Sequence, residues 1–521
     1  MSTVLSAFRI ADERLTGAFD YAFRPADNPW RHLGALAFLC LVISVASGII
    51  AYTLYNISVS GAYDSGLRLQ NDPLLLGRLL RGLHRYAADA FMLLSVLHLV
   101  REAMRGHFRG VRWFSWLTGI PLLWMLWIAG ITGLWLLWDA RALFSLTATA
   151  EWLQALPLSA DLLARNFLTP GALNDRFISL IVFIHIGMPL LLLAALWVHV
   201  QRVSLPRMWP PRALTAGSLV MLSVLALSLP AQSLGPVNTG RVAARLSLDW
   251  FYLFPHPLVD WLSASSVWLL AVLLTATLAI LPWIRSPGSA ARLLSRAARV
   301  DPANCNGCSR CAADCPFGAV VMIARTDDRH HPRQASVIDD LCAACGICVG
   351  ACPSSTPFRR SEDIVSGIEM PDAPIAVLRR ELQQKLGRLS GSEKIVVFAC
   401  RSAANFASLA DASTAVIPLE CAAMLPPSFF DYATRMGATG AVIAGCREAD
   451  CEYRLGDQWV RQRVAGVREP RVRPATRRDC IAVVWCGREI DGVRAAIATL
   501  RMGVRANPVN TITTNTTEVQ S

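Results

Sequence analysis

Four histidines stand inside long apolar runs, in two pairs of identical spacing. His84 and His98 are 14 residues apart, and so are His185 and His199. Ionisable residues within membrane-compatible segments are costly to insert and point to function. Fourteen residues advance an α-helix by about 21 Å and return to nearly the same face. Each run, as a helix, therefore shows one histidine near each end along one stripe. Two such helices facing each other make two stacked bis-imidazole sites, the axial set that iron porphyrin takes, so the spacing predicts two haems. Gly34 and Gly48 on a third run, and Gly119 and Gly133 on a fourth, repeat the 14-residue interval. A macrocycle edge needs a position without a side chain, so these glycines are expected to pack against haem. The competing reading is glycines that pack helices and histidines that hydrogen-bond between them. No Cys-x-x-Cys-His occurs, so covalent c-type attachment is not indicated.

A bilayer core takes about 20 apolar residues in a helix. Six runs qualify: 33–55, 79–101, 114–138, 177–201, 213–229 and 261–284, the fifth being short. Net charge is +12 over 521 residues, carried mainly by arginine. Arg101, Arg105, Arg109 and Arg112 follow one run, Arg202, Arg207 and Arg212 another, and Arg285, Arg292, Arg296 and Arg299 a third. That pattern fits cytoplasmic loops under the positive-inside rule, and no nucleic-acid partner is expected. No cleavable leader is visible before residue 33, so the N-terminus is expected inside, with 4–23 lying on the membrane as an amphipathic helix.

Fourteen of the 15 cysteines come after residue 300. Cys305-x2-Cys308-x2-Cys311-x3-Cys315-Pro316 is followed by Cys342-x2-Cys345-x2-Cys348-x3-Cys352-Pro353. This is the bacterial two-cluster ferredoxin spacing, in which the fourth cysteine of each run crosses to the other cluster. One 4Fe–4S cluster is expected on Cys305, Cys308, Cys311 and Cys352, the other on Cys342, Cys345, Cys348 and Cys315. Zinc is the alternative for such thiolates. Farther on, 394–400 and 440–446 read as buried parallel strands with a helix at 427–437 between them. Cysteines at parallel strand ends converge on one sheet edge, where α/β domains place their sites. Cys400, Cys421, Cys446 and Cys451 thus suit a 2Fe–2S cluster, or are small buried residues. Cys480 and Cys486 read as structural.

Residues 30–284, with both histidine pairs and both glycine pairs, resemble cytochrome b of the quinol-oxidising bc complexes. The resemblance implies that His84 and His185 bind an outer haem b, that His98 and His199 bind an inner one, and that Arg81 sits near a haem propionate. It also implies a homodimer. Ser247-Leu248-Asp249-Trp250-Phe251-Tyr252-Leu253-Phe254 is similar to that family's Pro-Glu-Trp-Tyr loop, with Leu248 for the proline and Phe251 for the tyrosine. The likeness makes Asp249, Trp250 and His256 an outer quinone site, with Asp249 or His256 taking a proton. An interfacial aromatic belt with a solvated aspartate is the other reading, and for His256 a loop cap. The family's inner quinone site has no counterpart at 203–207. Residues 394–464 resemble the delta subunit of methyl-viologen-reducing hydrogenases, a 2Fe–2S protein, through Phe398-Ala399-Cys400, Glu420-Cys421, the segment ending at Cys446, and Cys451-Glu452-Tyr453. Ala403 stands where that family carries a further cysteine.

The expected architecture is an all-α transmembrane di-haem four-helix bundle with two further helices, a ferredoxin-type α+β module and a small α/β domain. Its expected divisions are an interfacial segment 1–30, the cytochrome core 31–201, two helices and a quinone-site-like loop 202–285, and a basic linker 286–300. The ferredoxin module 301–357, a connector 358–391, the α/β domain 392–505 and a disordered tail 506–521 follow. The expected function is an inner-membrane electron conduit, its iron–sulfur domains in the cytoplasm. It would link the quinone pool to a cytosolic dehydrogenase, hydrogenase or heterodisulfide-reductase-like flavoprotein. The alternative is a bc-like subunit that splits quinol electrons between a separate Rieske or cytochrome partner and the iron–sulfur module.

Overall fold

The computed structural model describes residues 2–156, 173–238, 240, 246–249, 251–284, 297–327, 329–359, 364–487 and 489–502. Trp250, most of the expected basic linker and the expected disordered tail lie outside the described residues. The chain divides into two compact units. One is Met1–Gln201 with Pro206–Arg285, and the other is Arg202–Leu205 with Ser286–Ser521.

Every described element of the first unit is helical, the form in which an apolar run satisfies its own amides away from water. In chain order the helices are α1 (Ser2–Ala22), α2 (Leu33–Thr53), α3 (Ala62–Gln70), α4 (Leu76–Met104), α5 (Trp113–Trp135) and α6 (Ala140–Gln154). They continue with α7 (Asp175–Val200), α8 (Arg212–Ser228), α9 (Pro255–Leu262) and α10 (Ala264–Ile280). Four spans are long and apolar enough to cross a membrane: Leu33–Thr53, Gly110–Trp135, Asp175–Val200 and Ala264–Trp283. α4 is 29 residues long and falls short through its charges, among them Arg78, Arg81, Arg85 and Asp89. α8 has only 17 residues.

α4 is the hub of this unit. α2 packs along one side and α8 along another, where Gly82 leaves room for Ala226: a Cβ on Gly82 would lie 2.7 Å from Ala226 Cα. α7 packs along α5. One expectation changes. The run 261–284 is not one helix, because Ser263 turns the chain at φ 92° and its hydroxyl caps α10 at Ser266 N (3.4 Å). Helix α1 covers the expected interfacial segment and is docked against protein on one side. Its buried Asp12 accepts from Trp30 Nε1 (2.8 Å) and pairs with Arg101 (3.5 Å).

One end of the helices is closed by short segments tied to Asp139. This fully buried carboxylate caps α6 at Ala142 N (2.9 Å) and holds Leu234 N (2.9 Å), while Tyr63 Oη donates to Leu234 O (3.0 Å).

The second unit opens with strand β1 (Arg299–Val300). Hairpin β2–β3 (Val320–Ala324 and Arg333–Val337) lies between two short helices, α11 (Arg310–Asp314) and α12 (Ile347–Ala351), and β4 (Ile368–Glu369) pairs back antiparallel to β1. Helix α13 (Ile375–Arg388) leads to four parallel strands: β5 (Ile395–Cys400), β6 (Thr414–Leu419), β7 (Gly440–Gly445) and β8 (Ile481–Trp485), in the order β6-β5-β7-β8. Helices α14 (Ser428–Arg435), α15 (Gly456–Ala465) and α16 (Asp491–Arg501) complete it. Strands β5 and β7 are buried along their whole length, as a sheet covered on both faces requires. Val397, Ala399, Val442 and Val484 pack with Ile497 and Leu500 of α16 on one face, and Phe398 meets Phe430 of α14 on the other.

Asp139→Ala orphans two buried amides at once and is expected to cost about 2 kcal/mol of stability. A lowered thermal midpoint in detergent, with the fold otherwise intact, checks this.

Candidate functional site

The four histidines of α4 and α7 each lie against a glycine of the helix packed beside them. A Cβ on Gly48 would stand 2.9 Å from His84 Cε1, and one on Gly34 would stand 3.4 Å from His98 Cε1. Across the bundle, a Cβ on Gly133 would meet His185 Cε1 at 2.8 Å and one on Gly119 would meet His199 Cε1 at 3.2 Å. Each of these glycines leaves room for an imidazole of the neighbouring helix. His84 and His185 then face each other with ring centroids 6.1 Å apart.

That contact also fixes the tautomer. His84 Nδ1 is 2.9 Å from Ser44 O, and His185 Nδ1 is 2.9 Å from Ala129 O. In both cases the carbonyl belongs to the residue four before the glycine, on the helix turn beneath it. A carbonyl only accepts, so Nδ1 carries the proton and Nε2 keeps the lone pair for a metal. A hydroxyl adds to three of the four positions: Ser47 beside His84 (3.3 Å), Thr132 beside His185 (3.4 Å) and Thr118 beside His199 (3.1 Å). The sequence signal was present, a Ser or Thr directly before Gly48, Gly119 and Gly133. The fourth glycine follows Leu33 instead. Paired imidazoles with aimed Nε2 atoms are what a bis-histidine haem needs, and these residues fit it. Arg81 donates to Gly66 O (2.9 Å), Gln70 Oε1 (3.0 Å) and Ser233 Oγ (2.8 Å), so its guanidinium ties surface segments together.

The loop carrying Asp249 is plugged into the bundle. Tyr252 Oη donates to Ala88 O of α4 (2.9 Å), and Trp127 Nε1 of α5 donates to Tyr252 O (3.0 Å). Asp249 is buried rather than solvated. Its Oδ1 accepts the amides of Phe251 and Tyr252 (2.9 Å each), and its Oδ2 pairs with Arg85. Arg85 Nε also holds Asp89 Oδ2 at 3.1 Å, while Asp89 Oδ1 is buried with no hydrogen-bond partner among the described residues. Sequence reasoning missed Arg85 and Asp89, although a charged i,i+4 pair within an apolar helix was a signal. His256 is buried, with Nε2 on Thr149 Oγ1 (2.9 Å) and Nδ1 near Leu253 O (3.2 Å).

In the second unit, Cys305, Cys308, Cys311 and Cys352 line one cavity, together with Gly367 and Ile368. Burial, and then the neighbouring Cys352, Cys308 and Cys305, pushes the Cys311 thiol up to about 12. Burial and the neighbours Cys345, Cys342 and Cys315 raise Cys348 in the same way. Such thiolates coexist only beside a compensating cation, and the residues fit iron clusters. Among the described residues no group of three or more His, Cys, Asp or Glu is arranged to hold a single metal ion. The backbone repeats between the two runs. Gly307 and Ser309 flank Cys308 at φ 64° and 63°, and Ala344 and Gly346 flank Cys345 at φ 54° and 73°. Left-handed turns of this kind aim amides inward at an anionic group. Amides of Ala319 and Ala298 already approach the sulfurs of Cys315 (3.3 Å) and Cys342 (3.5 Å).

The sheet order reverses between β5 and β7, and such a switch point opens a crevice at the strand ends. Cys400 ends β5 and Cys446 follows β7, with sulfurs 3.8 Å apart, too far for a disulfide. Cys421 and Cys451 join them around Gly456: a Cβ there would meet the sulfurs of both, Cys451 at 3.0 Å. Cys486 follows β8 and its sulfur lies 3.6 Å from Gly445 O.

The family profile for cytochrome b/b6/petB matches residues 20–204. Cytochrome b6 of Prochlorothrix hollandica is 30% identical over 164 residues, 31% of this chain and 73% of that protein. Cytochrome b6 of Synechococcus sp. (strain CC9902) is 30% identical over 179 residues, 34% of this chain and 80% of that one. The chain belongs to the cytochrome b/b6 family. A menaquinol:cytochrome c reductase cytochrome b subunit of Geobacillus thermodenitrificans is 29% identical over 138 residues, 25% of this chain and 61% of that subunit. Beyond the cytochrome b region, a 4Fe-4S dicluster domain matches 297–356, and the delta subunit of methyl-viologen-reducing hydrogenase matches 395–499. Cytochrome b membership implies haem b, and the dicluster match implies 4Fe–4S clusters. The chain thus joins a membrane cytochrome b region to domains of electron-transfer families.

Gly133→Val is expected to displace His185 and to lower the haem b bound per chain. Pyridine haemochrome absorbance reads this directly, and Gly133→Ala should fall between the variant and the parent.

Proposed function

We propose that this cytochrome b carries electrons between the quinone pool and a soluble redox partner. The partner class is a dehydrogenase, hydrogenase or heterodisulfide-reductase-like flavoprotein on the cytoplasmic side. The observation that carries the reading is one continuous chain with two kinds of one-electron site. Its bundle carries aimed imidazole pairs, and its second unit carries twelve thiols in three groups. His84 with His185, and His98 with His199, would hold two haems b. Cys305, Cys308, Cys311 and Cys352 would hold one 4Fe–4S cluster, and Cys315, Cys342, Cys345 and Cys348 the other. Cys400, Cys421, Cys446 and Cys451 would hold a 2Fe–2S cluster. When bound, these groups each accept and release single electrons, and the protein supplies ligation, burial and orientation.

Oxidation of a hydroquinone releases two electrons and two protons, so a quinone pocket needs a proton acceptor. The buried Arg85 cluster sets two carboxylates, Asp89 and Asp249, against one guanidinium. Two carboxylates sharing a site disfavour the doubly ionised form, so such a cluster takes up a proton readily. Asp249 is already saturated by Arg85 and two amides, which leaves Asp89 Oδ1 as the open acceptor and Asp249 as its counterpart on the loop.

The test is anaerobic reduction of purified protein by a reduced quinol. Asp249→Asn and Asp89→Asn should each slow the rise of the haem b bands by about tenfold or more, with haem content retained. His98→Ala should stop electrons passing between the haems and the iron–sulfur centres while leaving the clusters assembled. Quinol reduction at an unchanged rate in both aspartate variants would overturn the proton-acceptor assignment.

A further inference from the structure

Asp314 stands directly before Cys315 and is almost fully buried, yet it belongs to an ion cluster that the redox reading does not use. Its Oδ2 accepts from Arg463 Nη2 at 2.5 Å, and its Oδ1 accepts from Arg468 Nη2 (2.5 Å) and Nε (3.0 Å). Its backbone carbonyl accepts from Trp459 Nε1 (3.0 Å), and the Arg468 guanidinium lies 3.5 Å over the Trp459 ring. Trp459 and Arg463 are on α15, the helix that starts at Gly456 between Cys421 and Cys451. One carboxylate beside a thiol of the ferredoxin module is thus gripped by the helix that carries the C-terminal thiol group.

The second contact is tighter still. Ala422–Met424, the turn after Cys421, is wedged between α12 and α15. A Cβ on Gly346 would stand 2.7 Å from Met424 Sδ, and one on Gly350 would stand 3.0 Å from Met424 C. Arg463 Nη1 donates to Ala423 O at 2.8 Å across the same wedge. Gly346 directly follows Cys345, and Gly346 and Gly350 bracket Cys348. Side chains at those two positions would push the C-terminal thiol group away. Cys308, by contrast, is exposed, and among the described residues the cavity of its group is lined by Met322, Ala335 and Ile368 with nothing from beyond Ile368.

We infer that the Arg463–Asp314–Arg468 clamp holds the Cys400/Cys421/Cys446/Cys451 centre directly against the Cys315/Cys342/Cys345/Cys348 centre, so that single electrons pass between those two. The Cys305/Cys308/Cys311/Cys352 centre is then one step farther along. This rests on the cluster assignments proposed above. One electron leaves a reduced 2Fe–2S cluster and reduces the adjoining 4Fe–4S cluster, or the reverse, with no other reactant. The clamp has a second effect. Two guanidiniums against one carboxylate leave an excess positive charge beside the junction. That charge favours the more negative, reduced state of the adjoining 4Fe–4S cluster and raises its potential. Asp314, Arg463 and Arg468 are positioning residues.

Low-temperature electron paramagnetic resonance of the full chain, reduced with dithionite, tests the placement without any substitution. The expected spectrum shows the 2Fe–2S signal split or broadened by spin interaction with a reduced 4Fe–4S cluster. Arg468→Gln, at the partly exposed edge of the clamp, should keep iron and sulfide content. It should move the midpoint potential of one 4Fe–4S cluster to more negative values and leave the other in place. Signals of all three clusters that are magnetically independent would overturn the inference alone. Absence of a 2Fe–2S signal would overturn the ligand assignment beneath it. An Arg468→Gln protein with both 4Fe–4S potentials unchanged would overturn the electrostatic role.

Discussion

An imidazole ring lying against a glycine is the contact on which the membrane half of this protein depends. The ring reaches the neighbouring helix only where no Cβ intervenes, and at Gly48 and Gly133 it comes within van der Waals range of the backbone. There Nδ1 finds a carbonyl on the turn below, which satisfies a buried donor and sets the tautomer in one step. Nε2 is then left facing the opposite helix. The α2–α4 and α5–α7 pairs thus each hold one histidine, His84 and His185, with Nδ1 tied to a backbone carbonyl. The 14-residue interval recurs in the glycines because the ligand and its socket must keep the same register on antiparallel helices.

The second unit solves a different electrostatic problem. Buried thiols resist ionisation, as the raised Cys311 and Cys348 show, and four together resist it more. The backbone answers with left-handed turns on each side of Cys308 and Cys345 and with amides near Cys315 and Cys342. At the C-terminal sheet, topology does the gathering. A reversal of strand order between β5 and β7 puts Cys400 and Cys446 at one crevice.

Much of this was legible in the sequence because it is periodic. Fourteen-residue spacing gave the paired histidines and glycines, and the two cysteine runs gave the module that matches a 4Fe-4S dicluster domain. What the sequence did not show was set by partners distant in the chain. That each of these glycines meets an imidazole depends on which helix packs on which. The sequence places Asp249 at a quinone-site-like loop but does not show that Arg85, 164 residues away, holds it. Strand β6 and helix α15 escaped a local reading, since Pro418 interrupts one pattern and Asp457 with Arg463 the other. Both are buried, and Arg463 finds its partner in Asp314.

The central claim is that quinone and the iron–sulfur centres exchange electrons through this one chain. Its most direct test mixes oxidised, purified protein with excess reduced quinol without oxygen. The haem b bands are followed, and samples frozen at successive times are read by electron paramagnetic resonance. The account predicts that the haem bands rise first and that iron–sulfur signals follow on the same preparation, at potentials that quinol can reach. Full reduction of haems and clusters by dithionite, with neither reduced by quinol nor reoxidised by quinone, would contradict it.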